Sequence, residues 1–431
     1  MVIIYLLLLF IQFGFGFLYV GANGGFIKNL YFSFCLFLYF LYLFVGSLAV
    51  WNLKDFEFLG YSIEGFYPEG LKVYNIAIAF FLIGYFFKPL NLKPIPKFKI
   101  EKIFNDYLLF WLTIFFLVIN FFIRFKGYSI EGSFNTYLFL TQDFLITLNI
   151  AIYLRGQNKV LYYITLGLSI FLFSANFFRY RILLTLIGIG TIYLIRNPKI
   201  IKNLGTYSLF AFSGIYLIFF FTINRKTFGD GNFSKANYNI LSSNADLQNL
   251  VLSEGNNVQA DFNVLQYYRD NPKYPHDYGK TMFIFPFIRA LPSFFFKDGV
   301  KPFPPSLQAI VDAYGGDYTA KHSGKAVTNI VELFIAFGLP GIIILMFAFG
   351  LILKALQNQW VNDNSYNALF QIAILISLFQ YITRGYFPQY ITHIAYLIMP
   401  VYILRFYSKR IKKRVYNSIK LIEISESHLS S

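Results

Sequence analysis

Glu332 stands inside an apolar run, Val327-Thr328-Asn329-Ile330-Val331-Glu332-Leu333-Phe334-Ile335-Ala336-Phe337-Gly338-Leu339-Pro340-Gly341. A carboxylate in that setting is costly unless a cation or an aqueous cavity meets it. Two readings are open. It is either one half of an ion pair that holds helices together, or a base that takes the proton of a hydroxyl, tuned by burial on one side and arginine on the other. Seven arginines could supply the cation: Arg124, Arg179, Arg181, Arg225, Arg269, Arg289 and Arg384. Each falls at or beyond the end of an apolar segment where membrane orientation asks for no positive charge. The guanidinium is a rigid fork that pairs two oxygens of a phosphate and keeps its proton, so it suits a diphosphate better than lysine does. The plainer role for each arginine is to snorkel to headgroups or cap a helix. Arg179 and Arg181 carry more weight. In Phe173-Ser174-Ala175-Asn176-Phe177-Phe178-Arg179-Tyr180-Arg181 they punctuate two apolar runs so tightly that their charges stay near the helices.

Other chemistries find little support. The histidines His276, His322, His393 and His428 are scattered without ligand spacing, and neither a cysteine cluster nor an Asp-x-Asp pair accompanies them, so no metal site is expected. Nor is there a glycine-rich phosphate cradle, which argues against nucleotide binding or ATP coupling. The single cysteine, Cys35, lies within an apolar run and excludes an intramolecular disulfide. Acidic residues between Asp55 and Glu69 are the rival for a base; their simpler reading is a solvated connector.

The elements that must position these residues are membrane helices. Of the 431 residues, 57% are hydrophobic, 21% aromatic and 13% charged, a balance unsuited to a water-soluble surface. A bilayer core of about 30 Å needs about 20 apolar residues per helix, and eleven segments qualify: 2–20, 30–50, 72–88, 104–123, 135–154, 159–178, 180–195, 204–223, 327–355, 366–383 and 390–406. The expected fold class is therefore an all-α polytopic membrane protein. The opening run lacks a basic start and a small-residue cleavage site, so it is read as a retained helix. Expected boundaries are helices one to eight over 1–223, a large loop over 224–326, helices nine to eleven over 327–406 and a basic tail over 407–431.

The net charge of +16 tracks the membrane rather than a nucleic acid. Lysines of the 88–102 loop, Arg155 and Lys159, Arg196 with Lys199 and Lys202, and the tail from Arg405 to Arg414 fall on one side under strict alternation, which marks that side as cytosolic. The N terminus and the large loop then lie outside and the C terminus inside. The loop divides in two. Its first part, Arg225 to Asp261, is rich in Asn, Ser and Gly and reads as a surface loop or a short helix pair. The second holds Met282 to Phe296, apolar but too short and proline-broken to span, which should lie along the interface or dip back into the bundle. Lys301-Pro302-Phe303-Pro304-Pro305 then forces an extended turn.

The order of Phe287-Ile288-Arg289-Ala290-Leu291-Pro292, Lys301-Pro302, a Gly-bearing stretch, and Glu332-x4-Phe337-Gly338-x2-Gly341 heading a late helix resembles the Wzy-type O-antigen polymerases. The resemblance covers the whole layout, with one large outer loop before the last few spans. Related O-antigen ligases place a histidine with an asparagine just before the equivalent helix; this chain has Thr328-Asn329 there, with His322 earlier, which favours polymerase. The resemblance implies a bacterial inner-membrane glycosyltransferase of surface polysaccharide and lipopolysaccharide biosynthesis. It would join undecaprenyl (polyprenyl) diphosphate-linked oligosaccharide units on the periplasmic face, without cofactor or metal. It further implies Glu332 as base with His322 as alternative, and Arg179, Arg181, Arg289, Arg384 and Arg225 for the diphosphates. Tyr267, Tyr268, Tyr314 and Tyr318 could stack on sugars. Expected partners are the lipid-linked oligosaccharide, the bilayer and a chain-length regulator protein. A ligase is the alternative enzyme, and a lipid-linked oligosaccharide flippase the alternative from another class; no internal repeat or mid-span charge cluster argues for the latter.

Overall fold

A computed structural model of the protein describes residues 1–87, 106–125, 140–155, 158–175, 179–197, 244–316, 326–359 and 366–406, with isolated positions between 216 and 235. The protein is helical and built for a membrane. Among the described residues five helices are long and apolar enough to cross a bilayer, over Val2–Ala22, Leu30–Leu53, Glu64–Phe86, Asn329–Asn358 and Phe387–Phe406. Shorter apolar helices cover Tyr107–Ile123 and Lys159–Ser174. The expected span at 204–223 lies outside the described residues, apart from isolated positions. The chain forms two compact units, each assembled from separate stretches of sequence.

The first unit takes Met1–Pro94, Asn197–Trp360 and Leu375–Thr392. It contains α1 (Val2–Ala22), α2 (Leu30–Leu53, with a π-helical turn at Phe40–Val45) and α3 (Tyr67–Phe86). α1 shows one side to its surroundings, with Ile3, Ile4, Leu7, Leu8, Phe10 and Ile11 exposed, as a lipid-facing helix should. α3 starts ahead of its apolar run because Pro68 and Glu69 occupy the first turn, where a missing N–H costs nothing and an acidic side chain suits the helix dipole. Between α2 and α3 the acidic segment folds into a two-stranded ribbon, Glu57–Phe58 against Tyr61–Ser62.

α3 packs along α10, a 30-residue helix over Asn329–Asn358, through a seam of glycines. A Cβ on Gly84 would come 2.1 Å from the Phe347 carbonyl oxygen, and one on Gly350 2.3 Å from that of Phe81. Small residues at such crossings let two membrane helices pack backbone to backbone. α10 is not continuous. Gly338 has φ 66° and ψ −157°, a conformation open to glycine, and Pro340 follows without an N–H. A short segment, Asn329 to Phe337, is thereby set off from a long one.

In the described part of the expected surface loop or helix pair, from residue 244 on, the chain forms one helix, α8 (Asn244–Asp270). From Val258 to Leu265 it is buried on all sides: Val258, Ala260, Phe262, Val264 and Leu265 sit in the core beside Gln259, Asp261 and Asn263. The Phe262 ring fills the space left by Gly70 on α3, where a Cβ would lie 2.6 Å from it. The apolar run after α8 forms short turns at Lys280–Phe283 and Phe285–Ala290 with Phe283, Ile284, Phe287, Phe294 and Phe295 exposed. α9 (Pro305–Ala313) follows, its start set by the proline run.

The second unit takes Ile95–Arg196, Val361–Ile374 and His393–Ser431. Its helices are α4 (Asp106–Phe125), α5 (Gln142–Arg155), α6 (Lys159–Ala175) and α7 (Arg179–Arg196). It also holds the first half of α11 (Tyr366–Arg384) and most of α12 (Phe387–Phe406). α5 is the centre, buried at almost every residue, and its polar side chains find partners on its neighbours. Asn149 Nδ2 donates to Ser169 Oγ of α6 at 2.8 Å, and the Thr147 hydroxyl to the Leu397 carbonyl of α12 at 2.7 Å. Bonds of this kind contribute about 0.6 kcal/mol each between membrane helices and fix their register.

Candidate functional site

The first turn of α10 carries the buried carboxylate foreseen in the sequence. Glu332 is 2% exposed. Its Oε1 accepts the Phe387 N–H at 2.8 Å, while Oε2 is buried without a hydrogen-bond partner among the described residues. The Phe387 amide is brought there by the turn between α11 and α12. Gly385 has φ 46°, and a Cβ there would meet the Thr328 carbonyl oxygen at 2.3 Å, so the turn lies directly on the start of α10. No cation bonds Glu332 among the described residues, so the ion-pair reading has no partner in what is described.

The floor of this site is polar. Asn329, fully buried, donates from Nδ2 to the Tyr39 hydroxyl at 2.8 Å and leaves Oδ1 without a partner among the described residues. Tyr381 of α11 stands close to both Asn329 and Glu332. Asp261 of α8 secures the helix start from the other direction. Its Oδ1 accepts the Thr328 N–H at 2.7 Å, and its Oδ2 accepts the hydroxyls of Thr328 at 2.6 Å and of Tyr74 at 2.7 Å. Burial pushes the Asp261 carboxyl up to about 7 against the pull of those hydrogen bonds. The far end of the short segment is held too: the Ile335 carbonyl accepts the Asp277 N–H at 3.0 Å and has His276 Nδ1 at 3.3 Å. Free carbonyls at a helix break need such partners.

Two of the expected arginines gather at the same turn. The Arg289 guanidinium lies 5.9 Å from the ring centre of Tyr386, the residue before Phe387, within reach of a cation–π contact. Arg384 is exposed at the end of α11, one residue before Gly385. Lys301 bonds the Arg289 carbonyl at 2.8 Å. Arg269 is engaged elsewhere, bonding Asp270 at 2.8 Å and facing Glu69 at 3.7 Å. Of the tyrosines, Tyr268 stacks on His276 with ring centres 5.1 Å apart and Tyr314 packs on Phe58. His322, Arg225 and Tyr318 lie outside the described residues, as do the side chains of Arg124 and Arg179.

Arg181 belongs to the second unit and is buried there, 1% exposed. Its Nε donates to Asp143 Oδ1 at 2.6 Å and its Nη1 to Gln142 Oε1 at 3.2 Å. The other oxygen, Asp143 Oδ2, lies 2.9 Å from His393 Nδ1. The Arg181 guanidinium also sits over the Tyr180 ring at 5.0 Å. Sequence reasoning missed Asp143, His393, Asp261 and Asn329 as site residues. A charge inside an apolar run was the available signal for the first two; Asp261 offered none, because its stretch is polar throughout.

Glu332 offers one carboxyl oxygen, buried and unpartnered among the described residues, and Arg289 and Arg384 stand at the neighbouring α11–α12 turn, a combination that suits proton handling beside an anionic group. No family model, no curated protein and no solved structure matches the chain.

Proposed function

We propose that this protein is a membrane glycosyltransferase of the Wzy type, polymerising polyprenyl-diphosphate-linked oligosaccharide repeat units of a bacterial surface polysaccharide. The observation that carries the proposal is Glu332: a buried carboxylate with one oxygen bonded to the Phe387 amide and the other unpartnered among the described residues, on the same turn where Arg289 meets Tyr386 and Arg384 ends α11. In this reading the polymerase has eleven spans with its N terminus and the 224–326 loop outside the inner membrane. The acceptor hydroxyl gives its proton to Glu332 as its oxygen bonds the anomeric carbon. The bond from that carbon to the diphosphate breaks, and the diphosphate leaves with the electron pair. Arg289 and Arg384 stabilise the charge that develops on it, the largest task in such a transfer. The apolar turns with exposed Phe287, Phe294 and Phe295 rest in the lipid interface near the carrier's chain.

Purified protein given one defined lipid-linked repeat, without nucleotide sugar or metal, should produce a ladder on a gel. Glu332→Gln should lower the rate by about 100-fold or more, the scale of a lost general base, and Arg289→Ala should slow the transfer as well, because the leaving diphosphate loses a stabilising charge. In a strain lacking the native protein, either variant supporting polymer of unchanged length and amount refutes the assignment. Single repeats accumulating on lipid support polymerase, whereas loss of all surface glycan indicates ligase or flippase.

A further inference from the structure

The second unit holds a buried charged group that this reaction does not use. Asp143, Arg181 and His393 come from three helices, α5, α7 and α12, and are 1%, 1% and 4% exposed. Charge buried among apolar helices is expensive, and it is retained there mostly for pathways and ligands. A pure helix clamp would need only Asp143 and Arg181, whose bond at 2.6 Å is complete. The addition of His393 makes the arrangement directional. A carboxylate paired with a guanidinium accepts hydrogen bonds, so the hydrogen between Asp143 and His393 belongs on Nδ1. In the neutral imidazole Nε2 is then an acceptor, and it is buried without a partner among the described residues. The same is true of the Gln142 amide nitrogen, a donor, in the residue next to Asp143. Gln142 is held by Arg181 through its oxygen at 3.2 Å, which turns the nitrogen away from that bond.

An acceptor and a donor unpartnered among the described residues, on side chains that both join the Asp143–Arg181 pair, match the bonding capacity of a hydroxyl, which both gives and takes a hydrogen bond. We propose that Gln142, Asp143, Arg181 and His393 form a second binding site, for a hydroxyl of a carbohydrate ligand. His393 Nε2 accepts from the hydroxyl and Gln142 donates to it. Asp143 and Arg181 are positioning residues that fix the imidazole and the amide. The carbohydrate class rests on the polymerase reading; the hydroxyl recognition rests on the cluster alone. Tyr180, whose ring meets the His393 ring edge-on at 6.2 Å, forms one side.

The test is nitrogen NMR of full-length protein labelled at histidine and held in lipid nanodiscs, with His393→Gln assigning the signal. At rest His393 should carry hydrogen on Nδ1 and none on Nε2; a hydrogen on Nε2 overturns the proposal. Methyl glucoside, methyl galactoside and methyl N-acetylglucosaminide are then titrated separately. At least one should shift the Nε2 signal saturably, and Gln142→Leu should weaken that titration about tenfold without changing the resting signal. If no glycoside moves the signal, or if His393→Phe binds as well as wild type by calorimetry, the cluster is only a helix clamp. The two readings fail separately. A ladder that depends on Glu332 with an unmoved His393 signal sinks this inference alone, and glycoside binding in a protein indifferent to Glu332→Gln sinks the polymerase alone.

Discussion

At the residue scale, the helix that carries Glu332 is held by a carboxyl that titrates near neutrality. Asp261 is fully buried and its proton affinity is raised to about 7. A raised carboxyl favours folding below the unfolded value of about 4 and loses that contribution as pH rises toward the folded value. Between about pH 4 and 7 the slope approaches roughly 1.4 kcal/mol per unit. Asp261→Asn keeps an acceptor for the Thr328 amide and can donate to the Thr328 and Tyr74 hydroxyls. Thermal unfolding in detergent should therefore show a wild-type midpoint that falls from pH 5 to 8 and an Asp261→Asn midpoint that stays flatter. Asp261→Ala should cost about 1–3 kcal/mol, because three donors lose their acceptor. Equal pH dependence in wild type and Asp261→Asn would assign the loss to another group. Glu332 was legible in the sequence because a charge in an apolar run is conspicuous by itself. Asp261 was not, since its burial is created by α2, α3 and α10 closing around α8. Asp143 and His393 are 250 residues apart, and one-dimensional spacing carries no sign of their pairing.

At the scale of elements, the glycine seam between α3 and α10 dictates which substitutions the helices tolerate. Gly350→Leu must push the backbone of Phe81 and Tyr85 aside, whereas Gly14 on α1 has open space around its Cβ direction. Gly350→Leu should cost about 3 kcal/mol by overpacking, and Gly14→Leu should be neutral, as read from midpoints of unfolding in the same detergent. Similar midpoints for both would mean that the seam is looser than the glycines require. The membrane helices were readable because twenty apolar residues have few other fates in water. Their ends were less so: α3 began early on Pro68 and Glu69, which belong to the helix chemically though not hydrophobically. α8 was misread because its buried apolar residues, at 258, 260, 262, 264 and 265, follow no single helical stripe. A helix enclosed on every side needs none.

At the scale of the whole molecule, each compact unit collects pieces from the early and the late chain, and α11 and α12 each contribute to both. Interleaving of this kind leaves no linker composition to read in the sequence. The topology rests on those charge runs and can be checked directly. Lys297→Cys should react with a membrane-impermeant maleimide on intact cells, and Ser427→Cys only after the membrane is opened; the reverse pattern would invert the orientation. The lone native thiol makes this experiment simple. Cys35 is fully enclosed in α2, so a bulky aqueous reagent finds nothing to attack in the unmodified chain. The natural protein is thus its own silent background, and any position can be given a spectroscopic or crosslinking handle without first removing a residue from the core.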